Sequence, residues 1–462
     1  MSYTVSEEKF RHGKMFDSSG KFRHRVANKI KLFPFVTQAG SIAVEKLDQL
    51  VGSFLCEIED KAITKVDADK FISEIKKEVD INFEDEKLFE ELIKNIIFDK
   101  NGDLRPLNLQ MQSHIPCADV SEEKLSEYLV DVLGNKDSLK LIVNTIKSNF
   151  SFSSNVLEKL VVEKLSVSET ESVKDSDYFT IVTTFKELFD SDFEYIISNQ
   201  NRAREYLVPL LELYYFSYTA QSSMQLDRFL TGSRNTNIPL YFCLDWEKTS
   251  KSRKCYSEGW MKLQKSIDKL FAHVVTLEIL NHIEEPEDFD YIKINSIVDS
   301  NPERESSISE NIDKLTSLYK NSITDCAELH DLKKETSGFG LVYDSIYYLF
   351  CCVKCQFENT VRNRAYTEYA KKFELFCANF LKNRGRNGLI LSLSEETLIF
   401  LTKISIKDKE QLRLKEVFNE FEKRGVFLDN SSKEEVADYY EKLNLIEKKS
   451  DSGDAKYVKR IL

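Results

Sequence analysis

At 462 residues the chain is long enough for two to four domains, at a prior of roughly 150 residues each. Its 14 Gly and 7 Pro amount to about 4.5%, against about 12% in an average protein, which excludes collagen-like repeats and disfavours β-barrels and long flexible linkers. A hydrophobic fraction of 42% excludes a disordered chain, and a formal net charge of −12 excludes a polycation, so any nucleic-acid contact has to come from local basic patches.

The expected fold class is mainly α: a multi-helical body with a few short strands and a C-terminal winged-helix-like domain. Nine scattered cysteines, and a polar stretch from Met1 to Lys14 without an apolar core, read as a protein of a reducing cytoplasm. The most apolar runs, Tyr206 to Tyr218 and Leu341 to Val353, are interrupted by Glu212 and Asp344 and are shorter than the roughly 20 residues of a membrane span. No membrane contact is expected.

Residues 1–40 read as a basic N-terminal arm, in which residues 9–31 hold Lys9, Arg11, Lys14, Lys21, Arg23, Arg25, Lys29 and Lys31 against Asp17. Gly13, Gly20 and Ser18-Ser19 predict loop in its first half. An N-terminal helical domain is expected over 41–167, because apolar residues recur at helical spacing from Leu47 to Ile58 and from Leu88 to Ile97. Residues 168–177 read as a solvated loop. A central helical domain follows over 178–388, with an aromatic helix at Leu207 to Tyr218, in which Pro209 is tolerable only in the first turn. A short strand is expected near 239–246. One long helix is predicted through Trp260 to Leu277, and a helix opened by a Ser307/Glu310 capping box. Residues 390–462 read as the winged-helix-like domain: a helix capped by Ser394, a second ending at Gly425, a third opened by Ser432 and Glu435, then a hairpin around the turn-rich Ser450 to Asp454.

Chemical motifs are sparse. The two Gly-Lys pairs, Gly13-Lys14 and Gly20-Lys21, lack the upstream Gly of a phosphate-cradling loop, which argues against an ATPase. Asp67, Asp69, Glu74 and Lys76 loosely match the metal-holding carboxylates and lysine of one nuclease class, but they sit on an amphipathic helical stretch rather than on adjacent strands. Cys352 and Cys355 with Cys326 and His330 have zinc-ligand spacing, yet the first two fall in an apolar helical run where buried thiols are common. No metal or cofactor is expected. The basic patches carry more: the N-terminal arm, the 360–386 stretch with Arg362, Arg364, Lys371, Lys372, Lys382, Arg384 and Arg386, and the wing with Lys448, Lys449, Lys456, Lys459 and Arg460. They either meet phosphates or pair with the acidic segments at 57–95, 168–195 and 284–310. The third helix, with Glu434, Glu435, Asp438 and Glu441, would oppose phosphate, so a protein-docking role is the favoured expectation for this domain, and if it touches DNA the wing is the part expected to do so.

The stretch Lys442-Leu-Asn-Leu-Ile-Glu-Lys-Lys-Ser-Asp-Ser-Gly-Asp-Ala-Lys-Tyr-Val458 resembles the C-terminus of the DptG (DndG) family of DNA phosphorothioation-dependent restriction proteins. Asn28-Lys-Ile-Lys-Leu-Phe-Pro34 and Asp245-Trp-Glu-Lys-Thr-Ser-Lys-Ser-Arg253 are similar to that family too. The resemblance implies an antiviral-defence subunit that works with DptF- and DptH-like ATPases against DNA lacking the modification. It carries over no catalytic residues. The expected role is a non-catalytic subunit that bridges the ATPases and holds double-stranded DNA through Lys21, Arg23, Arg25, Lys29, Arg384, Arg386, Lys448 and Lys449. A divergent metal-dependent nuclease subunit and a winged-helix DNA-binding regulator are the alternatives.

Overall fold

The computed structural model describes the chain apart from residues 1–2, 13–14, 19–21, 36–46, 48–49, 62–65, 80–81, 83, 101, 103, 106–108, 113, 116–119, 151–159, 162, 166–177, 286, 449–455 and 462. The expected loop at 168–177 and the hairpin turn at 450–454 lie outside the described residues. The fold is mainly helical, with seven short strands among the described residues: β1 Tyr241–Leu244, β2 Leu381–Asn383, β3 Leu389–Leu393, β4 Gln411–Arg413, β5 Phe427–Leu428, β6 Ile446–Lys448 and β7 Lys456–Lys459. No described helix is long and apolar enough to cross a membrane.

The helix Gln200–Leu226 is the axis of the body. Asn199 caps it by accepting the Arg202 N–H at 3.0 Å. It begins well before the expected Leu207 and carries Pro209 in its interior rather than in its first turn. It also runs past Tyr218 through a polar-looking stretch, because those side chains are buried and the two glutamines among them have their partners supplied. Gln221 donates to the Ile238 carbonyl at 2.9 Å and accepts the Ile238 N–H at 2.8 Å. One turn on, Gln225 donates to the Thr236 carbonyl at 2.7 Å and accepts the Ser233 N–H at 2.8 Å. The two amides hold the segment that leads into β1, as a neighbouring strand would.

The single helix expected through Trp260 to Leu277 is two, Met261–Ile267 and Leu270–Leu280. Every residue of the second is buried, which makes it a core helix. The helix predicted from Ser307 starts earlier, at Glu305, after the turn Pro302–Arg304, so Ser307 lies inside its first turn.

The N-terminal segment lies on this body. Helix Glu7–Arg11, capped by Ser6, interrupts the expected loop. Tyr3, Val5, Phe10, Met15, Phe22, Ile30, Leu32 and Phe33 are buried, and the Tyr3 hydroxyl donates to the Leu280 carbonyl at 2.8 Å. The buried Glu278 carboxylate accepts the backbone N–H groups of Asn28, Lys29 and Ile30, at 3.0 to 3.5 Å. The aromatic and aliphatic residues interleaved with the lysines and arginines anchor the segment, leaving its cations near the surface.

The first sheet has the order β2-β3-β1-β5. β1 is parallel to both β3 and β5, with Cys243 opposite Ser392 and Phe242 opposite Leu428. β3, an apolar run not expected as a strand, thus joins the one expected near 239–246. The second sheet, β4-β7-β6, is antiparallel and closes the C-terminal unit. That unit holds helices Glu395–Ile406, Leu414–Lys423 and Asn430–Lys442, the first capped by Ser394 as expected. The third is capped by Asp429, which accepts the Ser432 N–H at 3.0 Å, and not by a Ser432/Glu435 box. Because β5 belongs to the body's sheet, the C-terminal unit is stitched to the body, and one hydrophobic core runs from Tyr3 to Val458. A smaller core gathers Phe71, Ile75, Ile93, Ile97, Phe98 and Leu104.

Candidate nucleic-acid interface

Of the eight residues expected to hold DNA, Lys21 and Lys449 lie outside the described residues. Arg23 is half-exposed and pairs with Asp17 at 2.9 Å. Arg25 is exposed, and it lines a cavity with Arg23 and Arg362. Lys29 is half-buried, its backbone N–H committed to Glu278. Arg384 is half-buried and turns inward, its Nη2 donating to the Leu244 carbonyl at 2.7 Å beside the Cys243 sulfur at 3.7 Å, so it buttresses the β1–β3 junction. Arg386 is exposed on a turn bounded by Gly385 and Gly388, both at positive φ. Lys448 is exposed and shares Glu441 with Lys456, at 3.4 and 2.9 Å. Hydrogen bonds from Lys456 and Lys448 hold the Glu441 carboxyl below its usual range.

The C-terminal unit has a groove with a different set of cations. Helix Leu414–Lys423, helix Asn430–Lys442 and strands β4 and β7 enclose about 550 Å³ lined by Arg413, Leu414, Lys415, Phe418, Asn419, Lys433 and Lys456. Among the described residues, four cations and no carboxylate line it. Arg413 donates from Nε to the Tyr457 hydroxyl at 3.1 Å. Lys433 binds Glu422 at 2.9 Å on the rim, and its ammonium lies 5.5 Å from the Phe418 ring centre. Lys415 is exposed and has no ion pair among the described residues. The arrangement offers several donors to a run of anionic oxygens beside an apolar floor. By contrast Glu434, Asp438 and Glu441 are exposed on the third helix, so that face repels a phosphate backbone.

Arg413 and Lys415 were not picked out in the sequence. The usable signal is a pair of cations at one helix start, Arg413 at the N-cap and Lys415 in the first turn beside Glu416.

The other motifs resolve into structural parts. Asp67 caps the helix Ala68–Lys76, accepting the Lys70 N–H at 3.0 Å; Asp69 pairs with Lys94 at 3.1 Å, and Lys76 with Glu86 and Glu90. Cys326, Cys352 and Cys355 are buried, and His330 is exposed. No group of three or more metal-ligating side chains occurs among the described residues.

Comparison of the chain with protein-family models gives no match, and comparison with curated proteins gives none either.

Proposed function

We propose that the protein is a non-catalytic, DNA-holding subunit of a phosphorothioation-dependent restriction assembly, bridging DptF- and DptH-like ATPases. Its C-terminal unit would act as a winged-helix-like module that grips the duplex backbone from the β4–β7 side. The observation that carries the reading is the groove of Arg413, Lys415, Lys433 and Lys456 over Phe418. Sequence-independent phosphate contact is the chemistry such a lining supports. The family-like segments supply the ATPase partners of the reading, and neither Gly-Lys pair has the upstream Gly of a phosphate-cradling loop.

The test is duplex binding by the purified chain, followed by fluorescence anisotropy across a salt series. Arg413→Ala with Lys415→Ala, both exposed positions, should weaken binding about tenfold at low salt and lower the slope of log K against log salt by about 2. An unchanged slope overturns the groove as the DNA contact. Failure of the chain to co-purify two ATPases from its host overturns the assembly.

A further inference from the structure

Residues 15–18 and 22–25 are joined by the Phe16–Phe22 bridge and by the Arg23 N–H donating to the Met15 carbonyl at 2.6 Å, and Phe22 and His24 pack on Tyr319 and Phe357 of the helical body. This places Arg23, His24 and Arg25 over the helix Leu270–Leu280 and beside the start of the helix Asn363–Phe376. A cavity of about 540 Å³ results, walled by Asp17, Arg23, His24, Arg25, Phe271, Phe357, Arg362 and Ala365. Two basic segments more than 330 residues apart in sequence meet in it.

Its polar groups are incompletely used. Arg23 is taken by Asp17, and Arg362 reaches Asp325 only at 3.6 Å. Arg362 Nε and His24 Nδ1 are buried without a hydrogen-bond partner, and Arg25 has no ion pair among the described residues. Buried donors are nearly always paired, so two orphans in one wall point to a missing partner. His24 Nε2 lies 2.9 Å from the Tyr319 hydroxyl. If that hydroxyl donates, the ring proton sits on Nδ1 and the imidazole offers one more donor. Burial, and then the charge of Arg362, keep the imidazole neutral. Arg23 pairs with Asp17 and Arg362 with Asp325, so Arg25 is the arginine of the wall left without an ion pair among the described residues.

We propose that this cavity binds a phosphate monoester, its dianion held by Arg25, Arg362 and the His24 Nδ1–H, with its organic part against Phe271 and Phe357. A monoester carries a single organic arm, whereas a backbone diester needs an exit for chain on both sides. The source is either a free nucleotide or the terminal phosphate of a nucleic-acid strand. The site is separate from the C-terminal groove and stands whether or not that groove takes DNA.

The experiment is calorimetric titration of the full chain with inorganic phosphate, adenosine 5′-monophosphate, adenosine, and one short single strand carrying either a 5′-phosphate or a 5′-hydroxyl. The monophosphate should bind at least tenfold tighter than adenosine, or the 5′-phosphorylated strand at least tenfold tighter than its hydroxyl twin. The first result assigns the nucleotide, the second the strand end; the hydroxyl strand reports any contribution of the C-terminal groove. Arg25→Ala, at an exposed position whose loss should leave thermal unfolding unchanged, should lower that affinity at least tenfold, and Arg25→Lys should restore part of it. No preference for either phosphorylated probe, or unchanged affinity in Arg25→Ala, overturns the proposal.

Discussion

Replacing Asp192 by alanine tests how the C-terminal unit is fixed to the body. Arg424 and Asp192 are both fully buried. Arg424 donates from Nε and Nη2 to the two Asp192 oxygens, each at 2.7 Å, from Nη2 to the Ile404 carbonyl at 3.1 Å, and from Nη1 to the Glu420 carbonyl and carboxylate at 2.8 and 2.9 Å. A guanidinium has five N–H donors, and all five are used. Asp192 also accepts from the Tyr214 hydroxyl at 2.7 Å and from Lys407 at 2.8 Å. The network therefore ties the helices at 186–197 and 200–226 to those at 395–406 and 414–423. Removing the carboxylate strips Arg424 of its bidentate partner, and breaking a buried pair this way costs about 3–5 kcal/mol. Glu420 retains part of the compensation, which places the expected loss near 3 kcal/mol, a large share of a typical stability of 5–15 kcal/mol. Urea unfolding followed by circular dichroism and by fluorescence of Trp246 and Trp260 measures it. Asp192→Leu combined with Arg424→Met should be less destabilised than Asp192→Ala alone, because no unpaired charge stays buried. A loss under about 0.5 kcal/mol in Asp192→Ala, or a double variant worse than the sum of its parts, refutes the argument.

Two further outcomes follow from the same kind of reasoning. Burial, opposed by the Lys29, Asn28 and Ile30 N–H groups, pushes the Glu278 carboxyl from its ordinary value near 4.5 up to about 7. A raised folded pKa means stability fully present below pH 4.5 and lost as the pH rises through about 7, worth roughly 3 kcal/mol in all. Glu278→Gln should therefore gain stability relative to the parent as the pH climbs across that window; a difference between the two that is flat with pH from 4 to 8 in chemical denaturation contradicts it. Arg253 holds Asp429 with two hydrogen bonds at 2.6 and 2.7 Å, Ser432 at 2.9 Å and the buried Glu247 at 2.5 Å. Arg253→Ala should cost about 2–4 kcal/mol and speed proteolytic cleavage near 425–430, where the C-terminal unit joins the body; unchanged cleavage there would show the clamp to be dispensable.

The helical character, the helices at 50–59 and 86–97, the Ser394 cap and the three helices and hairpin of the C-terminal unit are legible from composition, 3.6-residue periodicity and local capping chemistry. Such signals act over a few residues, so one chain carries them without reference to its fold. What lies beyond them depends on distant partners. Gln221 and Gln225 look like the polar end of a helix, yet they sit in its buried part because the backbone at 233–238 satisfies them. Arg384 reads as a phosphate-reaching loop cation, yet the parallel pairing of β1 with β3, nearly 150 residues apart, supplies the carbonyl that turns it inward. Arg424 carries no local mark of burial; only the approach of Asp192 makes its desolvation affordable. The meeting of Arg25 with Arg362, and of Arg413 with Lys456, is likewise a product of packing. The sequence by itself determined that the fold is mainly helical and how cations are spread along the chain, while several helix boundaries, such as Gln200 and the break between Ile267 and Leu270, came with packing. The tertiary structure alone decided which cations are neutralised and which converge, because a charge's role is set by the groups folding brings within a few ångströms of it.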